Sequence, residues 1–435
     1  MLHLEALQCH FTWGLSSNHV TLLKLQNELL DICPDESNPW RGHIYNLLGF
    51  LQTRLGHADE ALIYFSSASE ALRGPELLVN YSDLAWLHYE RGEPDRSKEY
   101  LDHTTERDHP SERHHTTETE RDHPTDPSEE LLLPEVLAEK AWTLMKFGPQ
   151  KLEATELFER ALEEQPERVE WRSSQAIALM SAHRHHLTGV PPEVLLKVQR
   201  AHEEDPGNMY LSVEYLSQRV KRGEQVEEEE VAALMPRIIE SAHSSYSGLR
   251  LALSYYSLTD ALDVGIVWAE EALEKHPDSR YVKCCAALCY KWRVLFKKDG
   301  ASKRHLVEKC VALLKEVISL YPDSCFRKEI DLAKVYALSN HSLADAELLY
   351  SELLLRDLEP TSKQILYNSY AKFLYFQMND LYTSTQYHMM AAEIPVDSNC
   401  RSNSIQTLQK IKTRRDYDPG LRAQVDDFLL RTPEI

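Results

Sequence analysis

The strongest constraint on the fold is a spacing that recurs along the chain. Ala154, Phe158, Ala161 and Pro166 follow one another at intervals of four, three and five residues within Glu153-Ala154-Thr155-Glu156-Leu157-Phe158-Glu159-Arg160-Ala161-Leu162 and the turn after it. Ala61, Phe65 and Ala68 repeat it upstream, and Ala346, Tyr350 and Leu353 repeat it downstream. Two small residues let paired helices approach closely, and the aromatic fills the groove between neighbouring pairs. The proline cannot continue a helix, so the chain turns into the next pair. The same ending appears at Glu203-Glu204-Asp205-Pro206, at His276-Pro277-Asp278-Ser279 and at Tyr321-Pro322-Asp323-Ser324. An Asp, Asn or Ser after each proline is placed to cap the following helix. No segment alternates with the period of two that a strand requires. The chain is therefore expected to be all-α, a solenoid of helical hairpins.

This spacing resembles the second helix of a tetratricopeptide repeat, which makes the expected architecture a tetratricopeptide-repeat helical-hairpin solenoid, or superhelix. The domain order expected is an N-terminal repeat subdomain over 1–101, an insertion over 102–130, a middle helical subdomain over 131–245 and a C-terminal repeat subdomain over 246–435. The insertion holds ten acids, three arginines and five histidines, with near copies ending Arg107-Asp108-His109-Pro110 and Arg121-Asp122-His123-Pro124. It has no apolar face to offset its ordering entropy, so it reads as a disordered loop. Its histidines sit irregularly beside prolines, and no ordered metal site is expected there. Glu227 to Glu230 reads as a solvated acidic face.

Among 435 residues, 69 are Asp or Glu and 48 are Lys or Arg, a net charge of −21. That balance argues against a protein that coats nucleic acid over its whole surface, but leaves room for a local basic pocket. Between Lys291 and Lys328 the sequence counts ten Lys or Arg against four acids. This is either a focused anion site or a basic exposed loop. The opening residues lack a signal-peptide pattern, and no apolar run approaches a membrane span. Eight scattered cysteines form no zinc-type pairs and read as reduced thiols of a cytosolic protein. No nucleophile elbow, P-loop, zinc-protease or kinase motif is present, so neither an enzyme nor a cofactor is expected.

Several motifs resemble those of the interferon-induced proteins with tetratricopeptide repeats. They are Leu7-Gln8-Cys9-His10-Phe11-Thr12-Trp13, Tyr45-Asn46-Leu47-Leu48-Gly49-Phe50, Asp83-Leu84-Ala85-Trp86-Leu87-His88-Tyr89, Glu139-Lys140-Ala141-Trp142-Thr143-Leu144-Met145-Lys146-Phe147-Gly148 and Ala287-Leu288-Cys289-Tyr290. The resemblance covers most of residues 1–395. It implies an antiviral effector of innate immunity that binds the 5′ end of single-stranded RNA in a cationic tunnel. Selection there is for a 5′-triphosphate or an incompletely methylated cap, and the RNA is kept from translation without being cut. Partners implied are viral or unmodified RNA and other members of the family, with no membrane; the location implied is cytoplasmic. The competing reading is a protein-interaction scaffold whose RNA pocket has decayed.

By the resemblance, Trp142 stacks on the cap guanine and Lys146, four residues on along one helical face, meets the terminal phosphates. Their ordinary roles would be a core aromatic and an exposed lysine. Glu170 and Ile177 would line the cap pocket, and would otherwise be a surface acid and a core residue. Asn208 and Tyr210 would lie near the first nucleotides, and would otherwise cap and pack. Arg250 would contact the RNA backbone, and Tyr281 keeps an aromatic where the family has a bulky apolar residue, with Lys283 adding charge nearby. The chain also departs from the pattern. Ser181 stands where a phosphate-binding arginine is expected, with Arg184 three residues on as the alternative cation. Cys284-Cys285 replaces a His-Gln pair, and Leu251 replaces a tyrosine. Gln26 or Asn27 is the best match for the N-terminal helix that lines the phosphate pocket, and the closing repeat of longer members is missing after Leu430.

Overall fold

The structure, a computed structural model, describes residues 2–16, 18–32, 36, 38–105, 132–148, 150–183, 190–297, 303–338, 342–414 and 418–431. The described residues form α-helices and short 3-10 turns, without a strand. Arg184 and residues 106–130 of the acidic insertion lie outside them; the insertion's first residues, Asp102 to Thr105, complete a helix.

The chain divides into two compact units, Met1–Cys285 and Ala286–Ile435. In the first, α1 (Leu2–Glu5) and α2 (His19–Ile32) precede the hairpins α3 (Arg41–Leu55) with α4 (Ala58–Ala71) and α5 (Leu77–Glu90) with α6 (Pro94–Thr105). The hairpins α7 (Pro134–Phe147) with α8 (Lys151–Glu164) and α9 (Val169–Ala182) with α10 (Pro192–Glu204) follow. Next come α11 (Met209–Lys221), the short α12 (Glu228–Ala232) and α13 (Met235–Glu240), then α14 (Leu249–Leu258) with α15 (Leu262–Lys275). Helix α16 (Arg280–Phe296) crosses the boundary between the units. The second unit continues with α17 (Lys303–Leu320), α18 (Phe326–Leu338) with α19 (Leu343–Leu354), α20 (Pro360–Phe376) with α21 (Leu381–Glu393), and α22 (Asn399–Thr413) with α23 (Pro419–Arg431).

The repeat positions do what their spacing demands. Ala154, Phe158 and Ala161 on α8 are completely buried, as are Ala61, Phe65 and Ala68 on α4; Ala346, Tyr350 and Leu353 on α19 are buried too. Burying each large side chain contributes about 1.5–3 kcal/mol. Gly49 on α3 shows why its position stays small: a Cβ there would stand 2.7 Å from Cε1 of Phe65. The caps expected after the prolines form in two of three cases. The Asn208 side chain accepts from the Leu211 N–H at 3.1 Å and the Ser279 hydroxyl from the Val282 N–H at 3.3 Å. Pro322–Ser324 instead makes a 3-10 turn before α18.

The motifs scattered over residues 7–148 meet in one buried polar network. The His10 N–H donates to Asp83 Oδ1 at 3.1 Å, while its ring joins Asp83 Oδ2 at 2.7 Å and the Thr143 hydroxyl at 3.1 Å. Asn46 donates to Glu139 at 2.9 Å, His43 meets the same carboxylate at 3.0 Å, and Asn80 donates to Asn46 at 2.8 Å. Burial by itself would lower the His10 pKa, but Asp83 and Glu139 outweigh it and hold the ring above its ordinary value. Burial likewise opposes ionisation of Glu139, yet His43, His10 and Asn46 hold its pKa below the usual carboxylate range. His10, Asp83 and Thr143 line up in the order of a hydrolase triad. All three are buried among α5, α7 and the N-terminal segment, so the constellation locks three elements together rather than facing a substrate.

Candidate functional site

Helix α7 places Trp142 and Lys146 one turn apart on one face. Trp142 is completely buried, and Trp40 lies against it with ring centroids 5.5 Å apart and planes 15° from parallel. Trp40 in turn packs edge-on against Phe158, 6.1 Å away. Trp142 thus belongs to the core of the first unit, and its Nε1–H is buried without a hydrogen-bond partner among the described residues. The Lys146 ammonium stands 4.9 Å from the Trp142 ring centroid and 4.7 Å from that of Tyr246, and donates to the Tyr246 hydroxyl at 2.7 Å. Two aromatic faces and a phenol oxygen suit a cation. Among the described residues Lys146 has no carboxylate partner.

Tyr246 continues the line toward Tyr210, edge to face at 6.5 Å and 74°. The approach depends on Gly248, which has φ of 83° at the start of α14; a Cβ there would stand 3.1 Å from the Met209 carbonyl oxygen and from the Tyr210 backbone. With no side chain in the way, the start of α14 settles on the start of α11. Arg250 follows in the first turn of α14. Its backbone N–H donates to the Tyr281 hydroxyl at 3.4 Å. Arg250 as a residue is exposed, while its guanidinium has Cys285, Cys284, Tyr281 and Tyr210 around it and no carboxylate partner among the described residues. Tyr281 is nearly buried, and burial, with the Cys285 thiol beside it, pushes its phenol well above the usual range. Trp142, Lys146, Tyr246, Tyr210, Arg250 and Tyr281 therefore form one continuous run.

Three expected residues stand apart from this run. Glu170 is ion-paired with Arg168, which also donates to Glu76 at 2.9 Å and lies 4.3 Å over the Trp171 ring. Ile177 is half-buried and packs against two hydrophobic clusters, one of them holding Trp142. Asn208 is spent on capping α11, with its amide donating to Asp205 at 3.1 Å. Of the departures, Ser181 offers its carbonyl to Lys151 at 3.5 Å. Asn27 accepts two bonds from Arg280, at 2.8 and 2.9 Å, and Asp31 pairs with the same arginine at 2.7 Å. Arg280 thereby ties α2 to α16 beside a cleft of about 440 Å³ lined by Leu30, Asp31, His243, His276, Arg280 and Tyr281. Leu251 and Lys283 are half-buried, and Cys285 is buried.

Tyr246 and Trp40 escaped the sequence reading. Tyr246 lies 100 residues from Lys146 in a serine-rich turn without repeat spacing. Several basic residues of 291–328 already have partners. Lys291 is bonded to Asp331 at 2.7 Å, Arg304 to Glu308 at 3.0 Å, and Lys328 lies 4.1 Å over Tyr321.

The hairpin array defines a helical-repeat protein of the tetratricopeptide type whose N-terminal unit sets two cations, Lys146 and Arg250, among tyrosines. The chain is similar to curated interferon-induced proteins with tetratricopeptide repeats. The chain is 27% identical over 431 residues to the human interferon-induced protein with tetratricopeptide repeats 2, covering 95% of this chain and 87% of that protein. It is 25% identical over 437 residues to the human antiviral innate immune response effector IFIT1, at the same coverage. No family model matches the chain. Among solved structures, a human IFIT1 dimer with m7Gppp-AAAA superposes with a TM-score of 0.73 at 23% identity, covering 98% of this chain and 95% of that one. A human IFIT1 dimer with PPP-AAAA gives 0.70 at 22% identity, covering 99% and 98%. These structures share the fold. No described helix is long and apolar enough to cross a membrane, and the seven described cysteines are free thiols.

Proposed function

We propose that this chain is a cytoplasmic antiviral effector of the interferon response that binds the 5′ end of single-stranded RNA and withholds it from translation, without catalysis. The carrying observation is that Lys146 and Arg250, two cations without carboxylate partners among the described residues, stand along the row Tyr246, Tyr210 and Tyr281. In a protein of net charge −21, unneutralised cations beside aromatic rings favour a ligand that joins phosphate to base. The homologous IFIT1 is an antiviral effector, and its structures contain m7Gppp-AAAA and PPP-AAAA, which supports the same ligand class here.

In this reading Lys146 meets the terminal phosphates, Arg250 the following backbone, and Tyr210 and Tyr281 the first nucleotides. Trp142 offers its indole to a cap base only once Trp40 leaves its face, so the phosphates carry the initial recognition. Asn208, Ile177 and Glu170 would reach the base only with a similar repacking of the cap, the core contact and the Arg168 ion pair that now hold them. A gel shift comparing 5′-triphosphate, capped and 5′-hydroxyl RNAs of one sequence tests the proposal. A clear preference for a phosphorylated or capped end supports it; equal affinity for all three, or none, overturns it.

A further inference from the structure

The second unit repeats a pattern of its own. Ala333-Lys334 on α18 and Ala371-Lys372 on α20 stand in the same register of successive hairpins, each alanine buried and each lysine reaching solvent. Four residues after each lysine, at the helix end, comes a large exposed apolar side chain: Leu338, 40% exposed, and Phe376, 71% exposed. Helices α18 and α20 are in contact, which sets the two lysine–apolar pairs side by side. The lysines are near enough for the Lys334 charge to act on Lys372, whose ammonium partial burial already disfavours. The acid nearby is Asp331, 3.7 Å from Lys334, but Lys291 already holds it at 2.7 Å. Lys372 itself has no carboxylate partner among the described residues. Among the described residues, one carboxylate thus serves both Lys291 and Lys334, and Leu338 and Phe376 stand exposed on the same stripe.

We infer that this stripe is a docking surface for an extended acidic peptide of a partner protein, with carboxylates on Lys334 and Lys372 and apolar side chains on Leu338 and Phe376. Charge complementarity selects the acid, since the stripe is cationic while the chain as a whole is not. The alternation of point-charge ammonium groups with a leucine as well as a phenylalanine selects peptide over nucleic acid. An aliphatic side chain gives no stacking face for a base. Such surfaces gain specificity from the charges and affinity from a few desolvated apolar anchors. The inference involves none of the residues assigned to the RNA end, so the two stand or fall separately.

Fluorescence anisotropy of the full chain with fluorescein-labelled Asp-Glu-Leu-Asp-Glu-Phe-Asp-Glu tests it. Saturable binding, weakened at least about tenfold by the double substitution Lys334→Glu, Lys372→Glu, is expected. The exposed single substitution Phe376→Ser, checked by thermal melting, should weaken it independently and covers the event that the double variant fails to fold. Absence of saturable peptide binding overturns the inference. So does tighter binding of oligo-uridylate that the same lysine substitutions abolish, which would assign the stripe to nucleic acid.

Discussion

The Lys146 ammonium donates a 2.7 Å hydrogen bond to the Tyr246 hydroxyl across 100 residues of sequence, and this bond joins the repeat helix α7 to the segment that launches α14. It keeps a cation at the mouth of the tyrosine run without neutralising it. Replacing Lys146 by Ala should weaken binding of 5′-triphosphate RNA by about 1.5–3 kcal/mol, the worth of a charge-assisted contact. Tyr246→Phe removes only the oxygen that aims the ammonium and should cost about 1 kcal/mol or less. Titrating both variants by anisotropy checks the order; a larger loss in Tyr246→Phe than in Lys146→Ala would contradict it.

Arg250 carries a full positive charge without a carboxylate counterpart among the described residues, so its effect should show in the salt dependence. For single-stranded RNA each phosphate contact contributes about 0.7 to the slope of log affinity against log salt. Arg250→Gln should flatten that slope by about this amount and weaken RNAs of different sequence alike. A change confined to one sequence would point instead to base readout.

The His10–Asp83 pair is completely buried between an N-terminal segment and α5. Removing Asp83 leaves the His10 ring and backbone N–H buried without their acceptor, which typically costs about 1–3 kcal/mol for each group left unsatisfied. Asp83→Ala should therefore lower the melting temperature sharply. Hydrogen exchange should show the loss concentrated in the first unit, where His10 also holds Thr143. A melt within a degree or two of the parent would show that the network is dispensable.

In the second unit, burial, reinforced by the charge of Lys372, lowers the His388 pKa to about 4; its ring meets the Ser404 hydroxyl at 3.1 Å. A histidine with its folded pKa depressed below the unfolded value near 6.5 refuses a proton that the unfolded chain accepts. Its contribution is present above about pH 6.5 and is lost as the pH falls toward 4. The parent should lose stability across that window, and His388→Gln, which cannot titrate, should lose less. Denaturant midpoints at pH 7, 6 and 5 measure the difference; identical slopes for parent and variant would refute the assignment.

How much of this was legible in the residues differs from place to place. The pattern Ala154, Phe158, Ala161 and Pro166 announces a buried helix face and its end, because the helical period turns local spacing directly into packing. The role of Trp142 was not legible, since an indole serves equally as a core side chain and as a platform for a base. Only the arrival of Trp40, on another hairpin, decides that it is covered. His10, Asn46, Asp83 and Glu139 stood in recognisable motifs, but their meeting in one network depends on how α3, α5 and α7 pack.

Local order, then, was written in the sequence: all-α hairpins, their small and large contact positions, the capping at Asn208 and Ser279, and an acidic balance that confines any anion site to a pocket. Tertiary structure alone decided which cations meet a carboxylate among the described residues. Arg280 and Arg168 find carboxylates, while Lys146 and Arg250 find tyrosines. A charge is neutralised by whatever lies within a few ångströms in space, and residues 100 positions apart become neighbours only through packing.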